Sequence, residues 1–324
     1  MNGTCRLKAA LATELPRIEA ALAEAVASLP PPVIPVARHI LEAGGKRLRP
    51  LLTLTFARLF DPAGADCRRL AITLELLHAA TLLHDDVLDN ALTRRNRAAA
   101  HTVFDAAAVI LGGDALLSHA NAIVAEYGDT RLTRCFSEAT SRTAAGEILE
   151  IAFRGRTDIS TEDYEEMARG KTAWLIRAAC LMGALAAGAG DDGLRAAADY
   201  GENLGMAFQM VDDALDFAPA EITGKPTGGD VREGKFTPPL RLYRESLDAA
   251  ERAAFDAAFA GGMMGEAEAA VIAERIRRAG YDNLTRLDAQ RCLDRALAAL
   301  ELLPDGPQRS LLREICAAVR ERKK

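Results

Sequence analysis

Residues 70–89 read LAITLELLHAATLLHDDVLD, an apolar stretch that ends in a cluster of three aspartates. Its leucines recur at the spacing of one face of an α-helix, and the same spacing appears near both ends of the chain. The repeated positions are Leu70, Leu74, Leu77 and Leu82, then Leu7, Leu11, Leu15, Ile18 and Leu22, and finally Leu293, Leu297 and Leu300. Runs of alternating polarity, which mark strands, are scarce, and aromatic residues make up only 5% of the chain. We therefore predict an all-α protein.

Proline and glycine clusters divide the chain into about ten predicted helices. The clusters are Pro30–Pro32, Asp61–Gly64, Gly112-Gly113, Gly188–Gly190, Gly224–Gly229, Gly261-Gly262 and Leu303–Gly306. No change of composition and no repeat of roughly 20–50 residues separates the two halves, so we predict one helical domain over residues 1–324. Residues 218–236 concentrate glycine and charge between two helical stretches, as ordered functional loops do.

The composition is that of a folded, soluble protein, because 49% of the 324 residues are hydrophobic and 27% are charged. The 40 basic and 46 acidic residues give a net charge of −6, which argues against a nucleic-acid-binding protein. The longest apolar stretch, residues 178–189, is shorter than the roughly 20 residues of a transmembrane helix. Charges interrupt each apolar run near the N-terminus, so we expect no signal peptide. Six cysteines without a CxxC pair indicate a reducing cytoplasm.

The pattern DDxxD occurs twice, each time at the end of an apolar helical stretch. Asp85, Asp86 and Asp89 form the first copy, and Asp212, Asp213 and Asp216 form the second. In a helix, the first and last aspartates of a copy lie on one face and repel each other. A single copy is typical of a solvated helix end, but two copies favour binding of Mg²⁺, which takes one or two carboxylates and completes its shell with substrate phosphates. The two copies predict a Mg²⁺–diphosphate clamp.

Short basic clusters supply the cations that an anion-binding site needs. Residues 44–50 read GGKRLRP, and Arg94-Arg95 begins five residues after Asp89. Lys171-Thr172, Lys225 and Lys235 lie near predicted helix breaks. Arginine and lysine are the usual ligands of phosphate oxygens, although each cluster by itself is equally typical of a solvated face.

Glu75-Leu76-Leu77-His78 offers a competing metal hypothesis, because Glu-x-x-His is the spacing used by di-iron helical bundles. Such a site needs a second copy, and none of the other histidines has a glutamate three residues before it. His78 lies two turns before Asp85 and is therefore a candidate for the same cavity. On the sequence alone, a core histidine with satisfied hydrogen bonds is an equally open interpretation.

The motifs GGKRLRP, LLHDDVLD, the arginine pair that follows, KTA and FQMVDDALDF occur in the order and spacing of one enzyme family. From about residue 38 to residue 239, the chain resembles the trans-isoprenyl diphosphate synthases, in particular the long-chain polyprenyl synthases of the octaprenyl and decaprenyl type. The resemblance implies an isoprenoid-synthase helical bundle around a central apolar cavity, usually as a homodimer. It also implies Mg²⁺-dependent condensation of isopentenyl diphosphate with an allylic diphosphate such as geranyl or farnesyl diphosphate.

The resemblance implies a role for each motif residue. Isopentenyl diphosphate is expected on Lys46, Arg49, His78 and Arg95. Asp85, Asp89, Asp212 and Asp216 are expected to hold Mg²⁺, and Asp86 and Asp213 complete the two catalytic motifs. Arg94, Lys171, Thr172, Gln209, Lys225 and Lys235 are expected to contact the allylic diphosphate, with Lys171 and Lys225 also counted as catalytic. Two positions depart from the family pattern, since Asn96 replaces a frequent glycine and Gly229 replaces a common aspartate.

The implied chemistry agrees with these residue types. Ionisation of an allylic diphosphate leaves a carbocation beside a diphosphate anion, so metal ions, lysines and arginines stabilise the leaving group electrostatically. The double bond of isopentenyl diphosphate then attacks the cation and a proton is lost. No nucleophilic serine or cysteine is required.

Product length is expected to depend on the residues below the first aspartate cluster, because the resemblance places the growing tail along that helix. Ala80 and Thr81 are small where short-chain members commonly carry an aromatic side chain, and Leu77 and Leu74 follow on the same face. We therefore predict a long-chain product that partitions into the membrane and suits a quinone side chain. A floor provided by another helix, near Phe136, is an alternative.

Other functions remain as alternatives. A shorter-chain farnesyl or geranylgeranyl synthase would share every motif. A terpene cyclase would need the first acidic cluster but neither GGKRLRP nor His78. A non-catalytic subunit of a heteromeric synthase usually has one degraded aspartate motif, whereas both motifs are intact here.

Overall fold

The computed structural model describes residues 5–64, 66–219, 222, 227–261 and 264–323. The fold is all-α, as predicted. The helices of the first half are α1 (Cys5–Ala27), α2 (Ile34–Leu41), α3 (Leu48–Phe60), α4 (Arg68–Leu88), α5 (Ala100–Val103), α6 (Ala106–Ala125) and α7 (Thr130–Phe153). They are followed by α8 (Thr161–Ala168), a π-helical segment π1 (Arg169–Ala173), α9 (Trp174–Ala186) and α10 (Asp191–Leu215). The remaining helices are α11 (Gly229–Arg232), α12 (Pro238–Ser246), α13 (Ala249–Phe259), α14 (Glu266–Ala279), α15 (Tyr281–Leu300) and α16 (Pro307–Arg320).

Several predicted breaks are confirmed as connections between helices. These are Pro30–Pro32, Asp61–Gly64, Gly188–Gly190 and Leu303–Gly306. Part of the clusters at residues 224–229 and 261–262 lies outside the described residues, so those two breaks stay predictions.

The predicted break at Gly112-Gly113 is wrong, because both glycines lie inside α6. A Cβ atom on Gly112 would lie 2.8 Å from Cγ1 of Val36, and one on Gly113 would lie 2.3 Å from Nε2 of His84. These glycines therefore allow α2 and α4 to approach α6 closely. Close packing, rather than a turn, explains their presence.

A small hairpin departs from the purely helical pattern. Strands β1 (Thr93–Arg94) and β2 (Arg97–Ala98) pair antiparallel and are joined by Arg95 and Asn96. Both turn residues have positive φ, +51° and +61°, as a two-residue turn of the primed type requires. Asparagine tolerates this conformation better than most residues, so Asn96 replaces the family's frequent glycine without abolishing the turn.

The chain folds into two compact units. The first consists of Met1–Thr140, Leu175–Ala198 and Leu302–Leu312. In it, α4 packs along α6 and also contacts α1, α2 and α3. Because apolar residues surround α4 on most sides, it is a central helix, and each buried leucine stabilises the fold by about 2 kcal/mol. The C-terminal end of α4 carries the first aspartate cluster.

The second unit consists of Ser141–Trp174, Asp199–Glu301 and Arg313–Lys324. Its core contains a series of aromatic contacts in which Phe255 stacks on Phe259 with ring centroids 5.4 Å apart, and Phe236 contacts Phe259 edge-on at 5.8 Å. Phe217, which directly follows the second aspartate cluster, is fully buried in the same core. Its burial fixes the chain where α10 ends.

One helix in the described part of the chain, α6, is long and apolar enough to cross a membrane by length and composition. It is made of Ala106–Ala125, and 39% of its most apolar stretch is buried inside the protein. Its outward face carries Ile110 and Leu111, of which Leu111 is 64% exposed.

Candidate active site

The first aspartate cluster lies where α4 ends. Asp85 is half-buried on the last turn, and Asp89 is the exposed residue that caps the helix, its N–H donating to the Asp85 carbonyl at 2.8 Å. The i, i+4 spacing places both side chains on one face, as predicted. This face presents two carboxylates at the protein surface of the first unit.

Asp86, by contrast, points into the protein and is fully buried. Nε of Arg94 donates a hydrogen bond of 2.7 Å to its Oδ1 atom. Asp85 and Asp89 therefore point outward, whereas Asp86 points inward and binds Arg94 of the hairpin. The contact of Arg94 with a diphosphate stays a prediction. Its hydrogen bond to Asp86 could not be predicted from the motif.

The hairpin turn brings Arg95 to the GGKRLRP loop. The guanidinium of Arg95 donates to the Gly44 carbonyl, and a Cβ atom on Gly45 would lie 3.1 Å from Nη1 of Arg95. Burial lowers the pKa values of Arg95 and Arg49; the Glu75 carboxylate opposes this shift, and neighbouring arginines add to it. The structure thus brings Arg49 and Arg95 close to each other and to His78 of α4, where an anion would reduce the repulsion between the two guanidinium groups.

Within GGKRLRP, the three basic residues have different environments. Lys46 is exposed and Arg49 is half-buried, whereas Arg47 is 2% exposed. Arg47 donates to Glu19 at 2.8 Å, to Glu75 at 2.9 Å and to the Leu41 carbonyl at 2.6 Å. Although burial lowers its pKa, these two glutamates raise it above the usual value. Arg47 is therefore a structural ion-pair residue between α1 and α4.

This ion pair bears on the di-iron hypothesis. Glu75 is buried and accepts its hydrogen bond from Arg47, so its charge is already balanced by a cation. His78, three residues later, is half-buried near four arginines. Burial, together with Arg49, Arg95, Arg94 and Arg47, lowers its pKa well below 6.5. Glu75 and His78 therefore serve different purposes, and the imidazole is neutral, able to donate one hydrogen bond to an anion.

The residues predicted to limit chain length lie on the same helix. Leu74, Leu77 and Ala80 are buried in the first unit, and the Thr81 hydroxyl donates to the His78 carbonyl at 2.9 Å. Phe136, the alternative floor, is also buried in that unit. Their interior placement agrees with the prediction, and their effect on product length stays a prediction.

The second aspartate cluster lies at the end of α10. Asp212 is half-exposed and pairs with Nη2 of Arg322 at 2.9 Å, while the Arg322 guanidinium lies over the Phe208 ring at 4.5 Å. Asp216 accepts backbone N–H donors from Gly229 at 3.0 Å and from Asp230 at 2.9 Å. Asp216 thereby fixes the start of α11.

The departure at Gly229 has a local explanation. A Cβ atom on this residue would lie 2.8 Å from Oδ1 of Asp216, which is too close without a shift of the loop. The absence of a side chain lets the Gly229 N–H approach the carboxylate directly.

Asp213 is the buried member of the second cluster. It accepts hydrogen bonds from the Tyr164 hydroxyl and, at 2.8 Å, from Nε2 of Gln209. The Thr172 hydroxyl donates to Oε1 of the same glutamine at 2.6 Å. Burial raises the pKa of Asp213 to about 7, although these donors oppose the shift. The predicted residues Thr172, Gln209 and Asp213 are therefore joined in one network.

The two lysines of the second unit, Lys171 and Lys235, share the buried carboxylate of Glu150. Nζ of Lys171 is 2.6 Å from Oε1 of Glu150 and 3.1 Å from Glu147. Nζ of Lys235 is 3.3 Å from the same Glu150 oxygen and 2.7 Å from Glu233. Burial alone lowers the pKa of each lysine, but the carboxylates raise it above 10.5. Both lysines are therefore ammonium ions at neutral pH.

The π-helical segment π1 presents Lys171 and Thr172. It passes close to α7, because a Cβ atom on Gly146 would lie 2.1 Å from the Lys171 backbone nitrogen. A Cβ atom on Gly170 would lie 2.7 Å from the α-carbon of Gly146. Two facing glycines thus allow the extra residue of the π turn to fit, and π turns are frequent at functional sites.

The predicted residue Lys225 lies outside the described residues, and its role stays a prediction. Among the residues that the structure describes, no three His, Cys, Asp or Glu side chains converge as a preformed metal site. This fits Mg²⁺, which needs only one or two carboxylates and takes further ligands from water and phosphate. Asp85 with Asp89, and the half-exposed Asp212, have the hard oxygen donors that such an ion requires.

Several residues of these networks were not predicted from the sequence, among them Glu147, Glu150 and Tyr164. Glu147 and Glu150 lie three apart in GEILEIAF, an otherwise apolar helical stretch. Two acids on one side of an apolar helix were the available signal. Nothing in the sequence around Tyr164 indicates its hydrogen bond to Asp213.

Comparisons with known proteins show which family the chain is similar to. The family model described as polyprenyl synthetase matches residues 31–274. Component 2 of heptaprenyl diphosphate synthase from Geobacillus stearothermophilus is 35% identical, covering 96% of this chain and 97% of the relative.

Two solved structures are similar over nearly their whole length. A decaprenyl diphosphate synthase from Rhodobacter capsulatus has a TM-score of 0.91 and 37% identity, covering 98% of this chain and 99% of its own. A polyprenyl synthase from Caulobacter crescentus, crystallised with calcium and isoprenyl diphosphate, has a TM-score of 0.91 and 34% identity, with 98% of each chain covered.

Proposed function

This chain belongs to the polyprenyl synthetase family and is a chain-elongating prenyl diphosphate synthase, and from that premise we propose that it makes a long-chain all-trans polyprenyl diphosphate. The observation that carries the proposal is that both aspartate motifs are intact and lie at the ends of helices, each with lysines or arginines in its own unit. The heptaprenyl and decaprenyl names of its relatives support a long product. Small Ala80 and Thr81 below the first motif support it as well.

We propose Mg²⁺ as the divalent cation, held by Asp85 and Asp89 and by Asp212 and Asp216. When bound, it would neutralise diphosphate charge and so favour departure of the leaving group. The calcium and isoprenyl diphosphate in the Caulobacter relative support a site for a divalent cation and a diphosphate.

The protein's own cations would complete the binding of both substrates. In the first unit, Lys46, Arg49 and Arg95 provide fixed positive charge for isopentenyl diphosphate, and neutral His78 provides a hydrogen bond. In the second unit, Lys171 and Lys235 stabilise the charge that develops on diphosphate when the allylic C–O bond breaks and both bonding electrons leave with oxygen. The new C–C bond then forms, and the proton that isopentenyl diphosphate loses goes to solvent or diphosphate.

The test is incubation of the purified protein with Mg²⁺, labelled isopentenyl diphosphate and either geranyl or farnesyl diphosphate. Dephosphorylated products are separated by chromatography. We expect a ladder that ends at a long polyprenol and that is absent from the Asp85→Ala variant. A ladder that ends at farnesol or geranylgeraniol would instead establish a short-chain synthase. No incorporation with either primer would overturn catalysis by this chain alone and favour a heteromeric synthase, of which the relative named component 2 is a model.

We also propose that the protein is a cytoplasmic homodimer. All six cysteines are thiols rather than disulfides, as in a reducing compartment. The exposed side chains of Ile110 and Leu111 on α6 are apolar groups that the interface of a homodimer would bury. A long polyprenyl product would then leave the enzyme for the membrane.

A further inference from the structure

The side chain of Glu150 lies between Lys171 and Lys235, the two lysines proposed to act on the diphosphate. It is on α7, 8% exposed, and its Oε1 atom contacts Nζ of both Lys171 and Lys235. We propose that Glu150 is a positioning residue that holds these two lysines together for the departing diphosphate. This inference rests on the proposed function.

The physical need for such a residue is clear from the charges. Two ammonium ions that contact one oxygen atom repel each other strongly, because both side chains are only about one-fifth to one-quarter exposed and screening by water is weak. A buried carboxylate between them offsets this repulsion. Burial raises the pKa of Glu150, but Lys171 and Lys235 reverse that effect and lower it below the usual value. The carboxylate is therefore charged at neutral pH.

The arrangement leaves the lysines able to act. An ammonium group has three N–H donors. The described contacts of Lys171 go to Glu150 and Glu147, and those of Lys235 go to Glu150 and Glu233. Each lysine thus has donor capacity for a diphosphate oxygen while the carboxylates fix its direction. Donors that are oriented in advance stabilise a leaving group more than donors that must reorganise.

Glu147 provides a matched control one helical turn away. It contacts Lys171 alone, at 3.1 Å, and is more exposed than Glu150. Glu147→Gln and Glu150→Gln each remove one negative charge from the same helix. Only Glu150→Gln removes the group that both lysines share.

The kinetic experiment compares wild type, Glu150→Gln and Glu147→Gln in the elongation assay. Misplacement of oriented groups costs about 100-fold in rate. We expect kcat to fall on that order in Glu150→Gln, with a smaller rise in KM for the allylic substrate, and to fall much less in Glu147→Gln. Equal kinetics in the two variants, or a wild-type kcat in Glu150→Gln, would overturn the proposal. Circular dichroism establishes that each variant is folded.

A second readout separates positioning from simple stability. Without Glu150, burial and the neighbouring ammonium ion both disfavour protonated lysine, although Glu147 still faces Lys171, and Glu233 and Asp230 still face Lys235. The basic limb of the pH profile of kcat/KM should therefore move to lower pH in Glu150→Gln, and move less in Glu147→Gln, because Glu147 supports the charge of Lys171 only. Glu150→Asp, which keeps the charge, should retain the wild-type limb. An unmoved limb in Glu150→Gln contradicts the inference.

Labelling of the lysines with an amine-reactive ester, followed by mass spectrometry, needs no activity. Unprotonated amines react, so Lys171 and Lys235 should label faster in Glu150→Gln than in wild type at the same pH. If wild type makes no polyprenol but the labelling still changes in Glu150→Gln, the proposed function fails, whereas the effect of Glu150 on the two lysines is confirmed. If wild type is active and labelling is unchanged in Glu150→Gln, the positioning role of Glu150 is wrong and the proposed function is kept.

Discussion

Neighbouring residues of one motif can have different roles, one in binding substrate and the other in stabilising the fold. The GGKRLRP loop shows this most clearly. Lys46 and Arg47 are neighbours, yet Lys46 is exposed whereas Arg47 is buried between Glu19 and Glu75. Glu19 and Glu75 lie 28 residues before and after Arg47. The sequence predicts a basic cluster here, but only the fold determines which guanidinium meets the buried acids.

Arg47→Met should destabilise the protein, although Arg47 is not expected to contact a substrate. The change removes the cation that is hydrogen-bonded to the buried carboxylate of Glu75, which costs on the order of 3 kcal/mol in the free energy of unfolding. Urea denaturation measures this loss. Lys46→Ala should change the same free energy by less than about 0.5 kcal/mol but raise KM for isopentenyl diphosphate. Equal stabilities of the two variants would contradict the structural role of Arg47.

His78 should make stability depend on pH. Its folded-state pKa is lowered, first by burial and then by the surrounding arginines, so the folded protein does not bind a proton there near pH 6. The unfolded chain does, with an ordinary pKa of 6.5. The contribution of His78 to the free energy of unfolding is therefore fully present above pH 6.5. It is lost as the pH falls below 6.5, by about 1 kcal/mol per pH unit.

The His78→Gln variant should lack this contribution. Denaturation of wild type and variant at pH 7.5, 6.5 and 5.5 provides the measurement. We expect the variant to lose less stability than wild type between pH 6.5 and 5.5. Parallel curves would mean that the pKa of His78 is the same in the folded and the unfolded protein.

At the scale of the element, the π-helical segment depends on glycines of α7. Gly146→Ala would place a methyl group against the Lys171 backbone, which has no rotamer to relieve the clash. We expect a loss of about 2 kcal/mol or more in stability and a fall in activity, because Lys171 moves with its backbone. Gly113→Ala meets only the His84 side chain, which can turn away, and should cost less. Thermal unfolding and the elongation assay, run on both variants, decide this.

The helices themselves were predictable, whereas their close contacts were not. Leucine spacing predicts α4, and the two aspartate motifs end helices as expected. Gly112-Gly113 reads as a break because glycine is rare inside helices, yet packing against Val36 and His84 overrides that tendency. Likewise, no local pattern distinguishes a π turn at Lys171 from an ordinary α-helical turn.

We expect the face of α4 below the first aspartate cluster to determine the length of the product. If the prenyl tail runs along this face, Ala80→Phe should block it and shorten the longest product. The chromatographic ladder from the elongation assay measures this, with Leu287→Phe as a control at an exposed position of α15. A ladder that ends at the same polyprenol in Ala80→Phe would move the limit elsewhere, with Phe136 the next position to change.

At the scale of the whole molecule, the sequence predicted the fold class and the family because many weak motifs occur in one order. It did not reveal the ion-pair networks, since Glu150 and Lys235, or Tyr164 and Asp213, are distant along the chain. The same limit applies to assembly. An apolar outward face such as that of α6 becomes visible only when the buried side of the helix is known.

The assembly prediction concerns this face of α6. Leu111 is 64% exposed and Ile110 is 42% exposed, on a helix apolar enough by length and composition to cross a bilayer, and this is the face that we expect a partner to cover. If a second copy provides it, Leu111→Glu places a charge in the interface and should convert dimer to monomer, as measured by light scattering of the detergent-free protein. Leu302→Glu, which changes another exposed leucine, should leave the mass unchanged. A wild-type monomer that co-sediments with lipid vesicles would instead assign the face to a membrane surface.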